Sequence, residues 1–293
     1  MMNNFDAVFS SEKDSVENII YGFCPEESGK QSLIFEAMNY SLKAGGKRLR
    51  PILMLETFKL FGQDEEKVYP FMAAIEFIHT YSLVHDDLPA MDNDEFRRGQ
   101  KTTHAKYGED IGVLAGDGLL NMAYEIMSDA VDKDPSGAKA MSVIAQKAGA
   151  FGMVGGQTVD VINEGKKLDL ETIDYIHNLK TAALIEASMM AGAILGGASD
   201  EEIDQVEQIA KNIGMAFQIQ DDILDVTGDE EKLGKPVLSD EKNEKDTYIT
   251  LIGLDESKTK VEELSNKAIE GIKALGDNEF LVALVEKLIN REY

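Results

Sequence analysis

Apolar residues recur at every third or fourth position along most of this chain, as at Met72, Ile75 and Ile78 and again at Ile209, Ile213 and Phe217. That spacing puts them on one side of an α-helix, and strand-like alternation is scarce. The expected fold class is therefore all-α, a bundle of about ten or more helices. Six prolines, Pro25, Pro51, Pro70, Pro89, Pro135 and Pro236, fall where helices would start or stop. Ala, Gly and Met crowd the stretch from Ala182 to Gly197, which suits close helix packing. No break divides the pattern, so residues 1–293 read as one domain.

Composition excludes several partners. With 29 basic against 54 acidic residues the formal charge is -25, which repels nucleic acid and anionic membrane surfaces. No apolar run is expected to reach the roughly eighteen residues of a membrane span, and the acidic N-terminal residues do not read as a secretory signal. Cys24 stands alone and suits a reducing cytoplasm. A soluble cytoplasmic protein without stable membrane insertion is expected.

Against this acidic background the basic clusters stand out. Lys47, Arg48 and Arg50 follow the flexible pair Gly45-Gly46, and Arg97 and Arg98 precede Gly99. Forked guanidinium donors beside a mobile backbone point to an anion site.

Two aspartate clusters carry the chemistry. Asp86-Asp87-Leu88-Pro89-Ala90-Met91-Asp92 closes the apolar run from Ala73 to Val84. Carboxylates at the end of so apolar a helix need a neutralising cation. On a regular helix Asp86 and Asp92 would lie about 240° apart, but Pro89 lets the chain loop and bring Asp92 back. The second cluster, Asp221-Asp222-Ile223-Leu224-Asp225, follows another apolar run, and there Asp221 and Asp225 lie about 40° apart on one helix face. Carboxylates without His or Cys suit a hard cation, and Mg²⁺ typically binds through a few carboxylates together with substrate phosphate oxygens. Glu76-Phe77-Ile78-His79 supplies one Glu-x-x-His pair of the kind di-iron bundles use, but that class needs two. The charged stretch from Thr227 to Asp246 reads as a surface loop, a candidate lid.

The blocks GGKRLRP, HDDLPAMDNDEFRRG and FQIQDDILD, in this order between Gly45 and Tyr248, resemble the trans-isoprenyl diphosphate synthases, and the Pro-Ala insertion in the first aspartate motif is similar to that of the bacterial farnesyl branch. The resemblance implies the isoprenoid synthase fold with a central cavity. It implies Mg²⁺, three ions bound with the diphosphate, held by Asp86, Asp92 and Asp221 and supported by Asp87, Asp222 and Asp225. Gly46, Lys47, Arg50, His79 and Arg98 then match an isopentenyl diphosphate site and Arg97 an allylic diphosphate contact. Lys180, Thr181, Gln218 and Lys235 match positions facing the allylic substrate, with the first three taken as catalytic. Tyr81 and Ser82, about one turn before Asp86, match the floor that limits chain length. The expected activity is Mg²⁺-dependent condensation of isopentenyl diphosphate with dimethylallyl or geranyl diphosphate to farnesyl diphosphate by a homodimer. Leu238 and Glu244 depart from glycines common in the family, which leaves the phosphate role of Lys245 open.

Overall fold

The computed structural model describes residues 4–227 and 246–289. Helices α1 (Phe5–Tyr21), α2 (Ser32–Leu42), α3 (Leu49–Phe61) and α4 (Tyr69–Asp86) lead to a small hairpin of β1 (Phe96–Arg97) and β2 (Gln100–Lys101). Helices α5 (Thr103–Tyr107), α6 (Glu109–Lys133), α7 (Ala138–Ala148), α8 (Met153–Ile162) and α9 (Leu170–Ile176) follow. A π-helical turn (His177–Ala182) joins α9 to α10 (Ala183–Gly196), and α11 (Asp200–Thr227) comes next. The described chain ends with α12 (Tyr248–Ile252), α13 (Leu254–Leu275) and α14 (Glu279–Ile289).

The all-α class is what the structure shows, with the hairpin a short exception that the helical periodicity did not announce. Its register pairs Phe96 with Lys101 and Arg97 with Gln100, and its turn residues Arg98 and Gly99 both have positive φ, 54° and 76°. Such left-handed pairs match the twist of a tight hairpin. The prolines within the described residues punctuate as expected, and Pro236 lies outside them. Pro51 and Pro70 sit in the first turns of α3 and α4, Pro135 opens a short 3₁₀ turn, and Pro25 and Pro89 follow the ends of α1 and α4.

Helix α10 is the axis of the bundle. Every residue from Ala183 to Ala193 is buried, because α3, α7 and α11 all pack against it. This corrects the expectation about apolar runs: Leu170–Gly196 is long and apolar enough to cross a membrane, but 67% of its most apolar window is buried inside the protein. Its hydropathy serves a core surrounded by other helices. Small residues allow the close approach. A Cβ on Gly192 would stand 2.2 Å from the Met54 carbonyl oxygen on α3. Around this axis α4 packs on α6 and α11 on α13, which sets the ends of α4 and α11 beside the interior.

Replacing Gly192 by Val forces α3 and α10 apart, and urea denaturation should show a loss of about 1–3 kcal/mol. An unchanged midpoint would mean the two backbones do not meet there.

Candidate active site

The first acidic arm forms where α4 stops. Asp86 is its last residue, and Pro89 prevents the helix from continuing. The next residues fold back: the Asp92 N–H donates to the Asp86 carbonyl at 2.9 Å and the Asn93 N–H to Leu88 at 3.1 Å, with Asn93 at φ 55°. The loop that the sequence predicted is thus present, and Asp92 lies close enough to raise the pKa of Asp86. Burial raises it most, and together they push Asp86 up to about 6 against the opposing pull of Lys180. Gln157 of α8 donates its amide to the Asp86 carboxylate at 2.7 Å. Asp87 differs. It is buried and accepts a 2.7 Å ion-paired hydrogen bond from Arg97 Nε.

The second acidic arm is the last turns of α11. Gln218 accepts a hydrogen bond from the Thr181 hydroxyl at 2.9 Å, while the buried Asp222 accepts one from the Tyr248 backbone N–H at 3.1 Å. Asp221 is half-buried and Asp225 is buried.

Lys180 joins the arms. It lies on the π-helical turn with Nζ 2.5 Å from Asp160 of α8. Burial works against its charge, but Asp160, and then Asp86 and Asp92, outweigh burial and hold its pKa above the usual lysine value. A cavity of about 160 Å³ is lined by Lys180, Thr181 and Gln218 together with Asp160, His177 and Asp222. The expected catalytic trio thus shares one wall.

The basic clusters divide. Arg48 is buried among Glu17, Glu76, the Leu42 carbonyl and Tyr21, at 3.0, 2.7, 2.6 and 3.3 Å. It is a structural cation, which corrects its reading as part of an anion site and commits Glu76 away from any metal pair with His79. Arg50 differs. Its Nε is out of water without a hydrogen-bond partner, and burial, opposed by Glu76 and reinforced by Arg98, pulls its pKa down to about 10. His79 beside it is neutral, since burial and the charges of Arg50 and Arg98 hold its pKa well below the ordinary range. Arg98 donates from Nη1 to the Gly45 carbonyl. Gly46, at φ 132°, leaves room for that guanidinium, since a Cβ there would lie 2.7 Å from Arg98 Nη1. Lys47 is exposed at the edge.

Tyr81 is buried on α4, edge-on to His85 at 5.8 Å, and burial, then Tyr124 and Asp86, push its phenol up to about 12. Ser82 donates its hydroxyl to the His79 carbonyl at 2.8 Å. Lys235, Leu238, Glu244, Lys245 and most of the expected 227–246 loop lie outside the described residues. Gln157 and Asp160 were not singled out from sequence. Their signal was the preceding Gly155-Gly156: a Cβ on Gly156 would come within 2.3 Å of the Lys180 backbone nitrogen, so α8 lies directly on the π-helical turn.

Among the described residues no three His, Cys, Asp or Glu side chains converge tightly enough to hold an ion alone. Asp86 is nevertheless a carboxylate in need of countercharge. Carboxylates of this kind fit Mg²⁺ whose coordination is completed by phosphate oxygens.

The helices thus couple Lys180 to Asp86 and Asp92 and set it in one cavity with Asp222, while Arg50 and Arg98 lie near each other. The Polyprenyl synthetase family model matches residues 31–284, and the chain belongs to that family, the trans-isoprenyl diphosphate synthases, which are prenyltransferases. A farnesyl diphosphate synthase of Geobacillus stearothermophilus is 45% identical over 255 residues, 86% of each chain. A geranylgeranyl diphosphate synthase of Cyanophora paradoxa is 42% identical over 283 residues, 95% of this chain and 94% of that one. Among solved structures, a geranyltransferase from Helicobacter pylori, complexed with magnesium and isoprenyl diphosphate, is 30% identical with a TM-score of 0.84, covering 99% of this chain and 98% of that one.

Burial, with Lys180 adding to it and Asp160 opposing, pushes His177 down to about 4. An unfolded histidine takes its proton near pH 6.5, so the stability that neutral His177 contributes is complete above about 6.5 and lost as pH falls toward 4. Chemical denaturation should show wild type losing roughly 1–3 kcal/mol more than His177→Gln between about pH 6.5 and 4. Parallel profiles would mean that the ring is not held neutral.

Proposed function

We propose that this chain condenses isopentenyl diphosphate with an allylic diphosphate to make farnesyl diphosphate in the cytoplasm, with Mg²⁺, as a homodimer. The carrying observation is Lys180, which answers to Asp86 and Asp92 of one motif while lining the same cavity as Gln218 and Asp222 of the other.

Asp86, Asp92 and Asp221 would hold three Mg²⁺ ions bound together with the allylic diphosphate, and the metal would supply Lewis acidity for the leaving group. Lys180 adds a fixed positive charge to the departing oxygens, and Arg97, anchored by Asp87, offers its outer nitrogens. The allylic C–O bond breaks, leaving a delocalised carbocation. Thr181 and Gln218, hydrogen-bonded to each other, present oxygen dipoles toward it. Gly46, Lys47, Arg50, His79 and Arg98 hold the second diphosphate so that its alkene forms the new C–C bond; the family resemblance assigns Lys235, outside the described residues, to the allylic substrate. The departed diphosphate takes the proton whose loss restores a double bond. Positioning two substrates at one interior removes much of the entropic barrier.

The growing chain runs back along α4 toward Tyr81, whose buried ring, with Ser82 beside it, stops elongation at fifteen carbons. A twenty-carbon product is the second reading, favoured by the Cyanophora relative named for that activity. The apolar residues Phe151, Val154, Val161 and Ile162, exposed on and just before α8, support pairing of two copies.

Asp86→Ala and Asp221→Ala should each lower turnover by about 100-fold or more in an assay with Mg²⁺, isopentenyl diphosphate and geranyl diphosphate; near wild-type rates in either would overturn the metal assignment. Chromatography of the products should show fifteen carbons for wild type and longer chains for Tyr81→Ala. An unchanged distribution removes Tyr81 as the floor.

A further inference from the structure

The π-helical turn that presents Lys180 and Thr181 is a weak element on its own, because i→i+5 hydrogen bonding is less favourable than the α pattern on either side. Something outside the helix has to fix its geometry. Tyr248, the first residue of α12, is attached to three elements around that turn. Its backbone N–H donates to Asp222 of α11 at 3.1 Å, its hydroxyl donates to Asp174 of α9, and its ring stacks on His177, the first residue of the turn, at 5.6 Å and 17°. Tyr248 is only 2% exposed.

The approach of Tyr248 is itself held. Asp246 accepts the Leu168 backbone N–H at 2.6 Å, and Thr247 starts α12 with a reciprocal cap in which the Thr250 N–H reaches its hydroxyl while Thr250 accepts from the Thr247 N–H. His177 and Asp222, the two residues that Tyr248 joins, both line the cavity that contains Lys180, Thr181 and Gln218.

We propose that Tyr248 is a positioning residue that clamps the Lys180–Thr181 turn to the second aspartate motif. It acts through His177, Asp174 and Asp222 and touches no reacting atom. The clamp sets the spacing between the lysine and the carboxylates of α11, so it governs the allylic diphosphate and leaves the Arg50–His79–Arg98 site alone. This rests on the substrate assignment given under Proposed function.

The split between the two substrates tests it. In steady-state kinetics Tyr248→Leu, which removes ring and hydroxyl, should raise KM for geranyl diphosphate about 10-fold and lower kcat by a similar factor, while KM for isopentenyl diphosphate stays within about two-fold. Tyr248→Phe keeps the stacking and the backbone bond and should restore most of the loss. If the Leu variant melts below the assay temperature, His177→Ala removes the stacking partner instead and should give the same split. Equal changes in both KM values, or an activity loss that only follows the folded fraction seen by circular dichroism, would overturn the clamp. Wild type that turns over neither substrate would overturn the synthase reading instead.

Discussion

Removing a carboxylate from water at the end of a buried helix is costly unless an opposite charge or strong donors compensate it. The arrangement at the end of α4 follows from that cost. Helix packing places Asp86 against the interior, and a glutamine amide and a lysine shared with Asp160 compensate it only in part, so its pKa stays raised. A carboxylate left in that state gains from any added positive charge. Stability and binding pull in opposite directions at this position.

The same accounting separates two arginines that sit two residues apart. Arg48 faces the α1–α4 seam, where two carboxylates, a carbonyl and a phenol satisfy it, so it holds helices together. Arg50 faces the interior with an orphaned nitrogen and another guanidinium nearby. One is a fastener and the other keeps a donor unpaired, and the difference lies wholly in which neighbours each meets. Asp86 and Asp87 divide in the same way: the first accepts from Gln157 and feels Lys180, and the second anchors Arg97 through Nε.

Much of the fold was legible because its signals are local. Helix periodicity and proline positions depend on neighbours within one or two turns, and the foldback after Pro89 follows from the steric conflict between proline and the residue before it. The hairpin at Phe96–Lys101 was not legible, since two strands of two residues leave no periodicity. The hydropathy of Leu170–Gly196 is ambiguous by itself, because a core helix enclosed on all sides and a helix in lipid require the same side chains. Gln157, Asp160, His177 and Tyr248 gave no strong local signal; their roles come from contacts between residues 20 to 74 positions apart.

By itself the sequence determined an all-helical chain with two carboxylate clusters, each closing an apolar helix, and two groups of cations near glycines. Those are consequences of composition and spacing over short range. Which cation is satisfied and which is left orphaned, which aspartate is anchored by a neighbouring helix, and how a π-helical turn is set beside α8 and α11 were decided only by the tertiary structure. The physical reason is that burial and electrostatic compensation are properties of a side chain's full surroundings, and those surroundings are assembled from helices distant in sequence.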